Sequence, residues 1–221
     1  MNIDHTFVIN LKHRKDRKKN MIKQLKKVHL QTYEFFDAIR PSTLDLEAWN
    51  PYFLNPIPDW FKITGGNELK YKIGCLGCLL SHMEVIKLSI ERNYERVLIL
   101  EDDTEFQLET SLSSYLKDVS PRAFGLFYLA GNHRGSKIEK VDDVLKIEGT
   151  YTTGSYIIDK SVMSYIVQHI QGFTREIDVF YANVIQKKFP CYCVYPHITK
   201  QAEGYSDIVQ KEVCYNLNIS M

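Results

Sequence analysis

Residues 74–103 read GCLGCLLSHMEVIKLSIERNYERVLILEDD, and the order of patterns inside this stretch decides the fold. Up to about Asn93 the apolar residues recur at helical spacing. The run Val97 to Leu100 is then continuously apolar and strand-length, the pattern of a strand covered on both faces. It ends on three acids, Glu101, Asp102 and Asp103. A helix leading into a doubly covered strand is a unit of an α/β fold, in which ligands bind beyond the carboxyl ends of the strands. The acids stand at such an end.

Outward from this unit, strands and helices alternate. Thr6 to Leu11 reads as a strand and is followed by LKHRKDRKKNMIKQLKK, where Met21, Ile22, Leu25 and Val28 lie at helical spacing beneath the lysines. A short strand is expected at Tyr33 to Ile39, others at Gly125 to Ala130, Tyr151 to Ile158 and Cys191 to Tyr195. Helices are expected after Asp159 and around Ile177 to Lys187. This alternation predicts an α/β sandwich with a largely parallel central sheet. Residues 41–70, with Pro41, Pro51, Pro56, Pro58 and Gly65-Gly66, read as a loop-rich excursion. Its aromatics, Trp49, Tyr52, Phe53, Trp60 and Phe61, either cap a cleft or pack under the loop.

Composition excludes several classes. At 221 residues, 44% hydrophobic and 25% charged, the chain is neither collagenous nor disordered. No repeat or linker divides it, so 1–221 reads as one domain. No window approaches the roughly 18 uninterrupted apolar residues of a membrane span, and no signal peptide is visible, so a soluble, cytoplasmic setting is expected. Five cysteines at low density fit a reduced compartment. Residues 1–30 hold nine Lys/Arg against two Asp. The apolar stripe beneath them favours a solvated helix face over a nucleic-acid patch.

Clustered carboxylates repel one another unless solvent or a cation intervenes, and hard oxygens suit Mg²⁺ or Mn²⁺. No Gly-x-x-x-x-Gly-Lys-Ser/Thr accompanies them, so a P-loop is excluded. The triplet on its own equally fits a solvated acidic turn.

Five segments taken in order, VINLKHRKDRKK (8–19), GCLLSH (77–82), VLILEDD (97–103), TTGSYIID (152–159) and YPHITKQAEGYSDI (195–208), resemble glycosyltransferase family 25. That family includes bacterial lipooligosaccharide and procollagen galactosyltransferases. The resemblance implies a GT-A fold with a Rossmann-like mixed sheet and helices on both faces. It implies an inverting glycosyltransferase that moves a sugar, galactose first, from a UDP-sugar to a hydroxyl of a glycan or hydroxylysine-type acceptor, assisted by Mn²⁺ or Mg²⁺. From another class, a nucleotide-sugar or glycan-binding module without turnover is the alternative; no nucleic-acid partner is expected. Residues 41–70 are the expected acceptor region.

Carried over by position, the resemblance makes Asp103 the first metal ligand and Glu101 the second, with Asp102 toward the donor. Asn10, Leu11, Arg14 and Arg17 stand where the nucleotide is gripped, because a guanidinium can pair with phosphate; surface salt bridges are the other reading for the arginines. Ser81 and His82 are donor-binding candidates, although His82 equally fits a core histidine. Thr153 and Gly154 are donor-side candidates, Gly154 because a glycine admits close approach or simply a turn. Asp178 matches the acceptor-side acid and is the candidate general base, with a helix N-cap as its other reading. His197 is a conceivable further ligand. Cys75-x-x-Cys78 with Cys191-x-Cys193 lacks a histidine at a zinc spacing and reads as buried, inert thiols.

Overall fold

The structure, a computed structural model, describes residues 1–119, 121, 123–133 and 137–213. Eight strands make the main sheet: β1 (His5–Asn10), β2 (Glu34–Asp37), β3 (Arg96–Glu101), β5 (Leu126–Tyr128), β6 (Lys137–Val141), β7 (Val144–Glu148), β8 (Ser155–Asp159) and β9 (Cys191–Val194). Their order is β2-β1-β3-β8-β5-β9-β7-β6. Two short ribbons complete the strands. One pairs β4 (Thr104–Phe106) with β10 (Thr199–Gln201), the other β11 (Gly204–Ser206) with β12 (Lys211–Val213).

Helices cover both faces because each strand sends alternate side chains to opposite sides. From β1 and β3, Phe7, Ile9, Val97 and Ile99 enter one core with α4 (Glu68–Glu91), α6 (Lys160–His169) and α7 (Ile177–Phe180). Val8, Leu98 and Leu100 enter the other core, with Met21 and Leu25 of α1 (Lys15–Lys27) and Leu112 and Leu116 of α5 (Leu112–Val119). The excursion holds two short helices, α2 (Thr43–Trp49) and α3 (Asp59–Lys62). After α7 the chain widens into a π-turn over Tyr181–Ile185 before α8 (Gln186–Lys188).

The sheet is mixed, and this corrects the largely parallel expectation. β1 runs parallel to β2 and β3, but β8 lies antiparallel to both β3 and β5, and β7 antiparallel to β9. Burial on both faces removes the alternation that would have betrayed antiparallel strands. The consequence for the site is direct: the start of β8, not its end, abuts the acidic end of β3, with Leu100 opposite Ser155.

The helix α4 begins before Gly74, ahead of its apolar run. It starts at its Asn67 cap, whose side chain accepts from Lys70 N, and by length and composition it could cross a membrane, with mean hydropathy 1.5 in its best window. The fold explains that composition differently. A helix apolar around most of its circumference is a buried one, and α4 packs between β1, α2, α6 and α7, burying Tyr71, Leu76, Leu79, Met83 and Ile86.

Candidate active site

Register places the parts. Ile9 pairs with Glu101, so Asn10 lies beside Asp102 at one sheet edge. Asn10 Nδ2 donates to Asp102 Oδ2 at 2.6 Å and Arg17 Nη1 to Asp102 Oδ1 at 2.8 Å. Asp102 is thereby satisfied on both oxygens within the protein. Asp103 is buried, its Oδ1 has no hydrogen-bond partner among the described residues, and Arg17 approaches its Oδ2 at 3.5 Å. Burial, and then the charge of Glu101, hold the Asp103 carboxyl well above the usual range. An orphaned buried carboxylate oxygen is a group that a hard divalent cation can satisfy.

Glu101 behaves in the opposite way. Burial pushes its pKa up, but His82 Nε2 at 3.3 Å and Thr153 Oγ1, donating at 2.7 Å to the same Oε1, outweigh it and hold the carboxylate low. His82 is fully buried and its Nδ1 meets Tyr156 Oη at 2.9 Å, which in turn meets Tyr181 Oη at 3.0 Å. A chain of polar groups therefore runs from the site to the start of the π-turn and fixes Glu101 from below.

Two clefts meet at Glu101. The first, about 470 Å³, runs between α4 and the segment after β10, with Leu11, Arg17, Arg40 and Lys70 on its walls and Asp102 and Asp103 at its base. The second, about 680 Å³, is edged by Trp60 and Tyr71 and holds Glu176 and Asp178. Glu101, Cys78, Gln201, Ser206 and Ile208 line both. Asp178 is half-buried in the first turn of α7, accepting from Val179 N at 2.8 Å and Thr152 N at 3.4 Å. Desolvation, then the charge of Glu176, raise its pKa to about 6. Thr152 has φ 93°, a strained setting for a β-branched residue. It sits between Asp178 and Thr153, so one short strained segment spaces the two carboxylates.

Several candidates prove to be braces. Ser81 Oγ donates to Gly77 O at 2.6 Å and accepts from Ile39 N at 2.8 Å, while a Cβ on Gly77 would come within 2.7 Å of Ile39 O. The glycine and serine of GCLLSH thus seat the 38–41 segment on α4; Ser81, expected on the donor, lies on the first cleft's wall and is bonded twice inside the protein. Gly154 lies outside both cleft walls: the group at close approach is Gln201, and Gly154 O accepts from Glu101 N and Thr104 Oγ1. Arg14 also lies off the clefts, held by Asp16 and, at 2.6 Å, by Asp207. With Arg17 Nη2 on Tyr205 O it fastens the 205–208 segment over the first cleft.

The charge that no sequence motif announced is on Arg40 and Lys70, exposed on the first cleft and without an ion pair among the described residues. Only the folding of the excursion against α4 brings them together. Within that excursion both readings of the aromatics hold: Phe53 and Phe61 are buried, whereas Trp60 is 54% exposed at the second cleft, edge-on to Tyr71. Of the cysteines, Cys75, Cys78, Cys191 and Cys193 are free thiols, and Cys214 lies outside the described residues. Cys193, however, lies beside His133 and His197.

The model of glycosyltransferase family 25 (LPS biosynthesis protein) matches residues 3–181, and so takes in the acidic triplet, His82 and Asp178. The chain belongs to glycosyltransferase family 25. It is 33% identical over 123 residues to procollagen galactosyltransferase 2 of Mus musculus, covering 54% of this chain and 19% of that one. It is 30% identical over 207 residues to a provisionally named glycosyltransferase of Acanthamoeba polyphaga mimivirus, covering 87% and 60%. The chain therefore spans less than two thirds of the length of either relative. A crystal structure of a protein from STIV shares the fold at TM-score 0.50 and 10% identity, covering 100% of this chain and 97% of that one.

Proposed function

We propose that the chain is an inverting glycosyltransferase that moves a hexose, galactose by kinship with procollagen galactosyltransferases, from a UDP-sugar to a hydroxyl of a glycan or hydroxylysine-type acceptor. The observation that carries the reading is the convergence of two chemically unlike clefts on Glu101. The donor belongs in the first, where Arg40 and Lys70 are free to meet a diphosphate and Arg17 stands over the acids. The acceptor belongs in the second, where Trp60 offers a ring face for a sugar and Asp178 lies on the wall.

Asp178 suits the general base better than Glu101. An efficient base titrates near the working pH, and Asp178 is raised to about 6 whereas His82 and Thr153 hold Glu101 low. Asp178 takes the proton from the acceptor hydroxyl as that oxygen displaces the diphosphate in one step, inverting the anomeric carbon. Thr152 N and Val179 N hold its two oxygens in place. Asp103 Oδ1, with Glu101 as second ligand, would hold Mn²⁺ or Mg²⁺, which when bound neutralises the departing diphosphate. Asp102 and Asn10 then act by fixing Arg17, and His82 by orienting Glu101.

A panel of UDP-hexoses, read by UDP release with and without Mn²⁺ and with a hydroxylysine peptide or a galactose-accepting glycan, tests this. Metal-dependent release stimulated by an acceptor is expected. Saturable UDP-sugar binding with no release from any donor would replace the enzyme by a binding module.

A further inference from the structure

At the same sheet edge, on the far side of β8 and β5 from the acids, three side chains from separate places in the chain converge. His133 follows β5, Cys193 lies in β9, and His197 follows β9. One ligand atom from each lies within 4.8 Å of the others. His133 and Cys193 are buried and His197 is partly exposed. The two imidazoles face each other through Nε2 atoms 3.0 Å apart, and His133 Nδ1 is bonded to Thr150 Oγ1 at 2.8 Å.

This is how metal-binding histidines are built: one ring nitrogen held by an outer partner, the other aimed at the ion. A tetrahedral zinc with nitrogens at about 2.0–2.1 Å places two such nitrogens about 3.3 Å apart. The observed spacing needs to open by only a few tenths of an ångström. Two imidazoles and a thiol form a borderline-soft set, which selects zinc over the hard, oxygen-seeking Mn²⁺ and Mg²⁺ that suit the carboxylates.

We propose that His133, Cys193 and His197 bind one zinc ion, separate from the acidic cluster, with a water on the solvent side of His197 as fourth ligand. On binding, the Cys193 thiol gives its proton to bulk solvent and the thiolate sulfur bonds to the metal. The site is structural in effect. Asn132 and Tyr151, which line the second cleft and pair with each other through two backbone hydrogen bonds, are one residue away from His133 and Thr150. Zinc would therefore clamp the end of β9 to the back of that cleft's wall. The inference does not depend on the proposed transfer reaction.

The test uses the full chain, stripped with a chelator and titrated with Zn²⁺ by calorimetry and with Co²⁺ by absorbance. One ion per chain beyond any held by the carboxylates is expected, and one in Asp103→Asn, with a near-ultraviolet thiolate-to-cobalt band and a zinc-dependent rise in Tm. The band should vanish in Cys193→Ser and persist in Asp103→Asn, and His197→Gln should weaken zinc binding 10-fold or more. Should Cys193→Ser fail the circular-dichroism check of folding, His197→Gln decides, since that side chain is partly exposed. No retained ion, cobalt bound without the thiolate band, or affinity untouched by His197→Gln would each overturn the site. A signal lost in Asp103→Asn instead would move the ion to the carboxylates and also overturn it.

Discussion

The two clefts share Glu101 as a boundary yet differ in what they present. The first joins acids to exposed cations, Arg40 and Lys70, on a wall closed by the strap that Arg14 and Arg17 fasten. The second joins aromatic edges, Trp60 and Tyr71, to a carboxyl whose pKa is raised to about 6, and its one arginine, Arg175, is tied to Glu176 at 3.2 Å. Unpaired cations beside acids suit a diphosphate with a divalent ion, whereas aromatic faces beside a weakly acidic carboxyl suit a neutral polyol that must lose a proton. The proposed division of labour rests on pairing, on which charges are already bonded within the protein and which are left open.

The strongest break in that division is Asp103→Asn. It removes the orphaned oxygen of the first cleft, so metal-dependent transfer should disappear, along with the Tm shift produced by Mn²⁺ plus UDP in the parent. Turnover at the parental level would show that Asp103 holds no metal.

Asp178→Asn should break the second cleft alone. A fall in kcat on the order of 10²-fold or more is expected, with UDP affinity unchanged in a calorimetric titration. In the parent, log kcat should climb with pH toward about 6 and level off above it, as the base loses its proton. The stability sign is the reverse. A carboxyl whose folded pKa lies above its unfolded value contributes stability below the unfolded value and loses it as pH rises through about 6. Asn cannot ionise but accepts from only one of Thr152 N and Val179 N, so the Tm of the variant relative to the parent should rise as pH goes from 4 to 7.5, on top of a pH-independent loss from the missing hydrogen bond. An equally active variant would leave Asp178 as a helix-terminus acceptor only.

Smaller effects sharpen the contrast. Arg40→Ala or Lys70→Ala should each weaken UDP binding by roughly 1–3 kcal/mol, the worth of a charge-assisted bond, while Lys26→Ala with Lys27→Ala leaves it unchanged. Equal losses in both sets would point to a diffuse basic field. Trp60→Ala should raise the acceptor KM a few-fold with the donor KM constant, because one exposed ring contributes modest stacking. A donor-side effect would place Trp60 in the wrong cleft.

Part of the framework around the acids was legible before any coordinates. Local pattern suffices for α4, β3 and the acids after them, since a buried strand and an amphipathic or buried helix differ in period and length. Asp178 and Thr153 entered as candidates only through family likeness, because nothing about an isolated Asp says which carboxylate it will face. Arg14 lies off the clefts for a physical reason: a basic run shows where charge is available, but Asp16 and Asp207 pair with it through contacts up to 193 residues apart. Ser81 and Gly154 look like ligand groups because small residues serve close approach to a ligand and close approach of backbone elements equally well.

By itself the sequence determined α1, α4, the strands β1, β3, β5, β8 and β9 and the triplet Glu101-Asp102-Asp103 at a strand end, all consequences of local periodicity and of apolar residues leaving water. Only the tertiary structure decided that β8 runs antiparallel and so delivers Thr153 to Glu101, that Arg40 and Lys70 share a wall, and that His133, Cys193 and His197 meet. Direction, pairing and pKa depend on partners distant in the chain, and a side chain's chemistry is set by what folding places within a few ångströms of it.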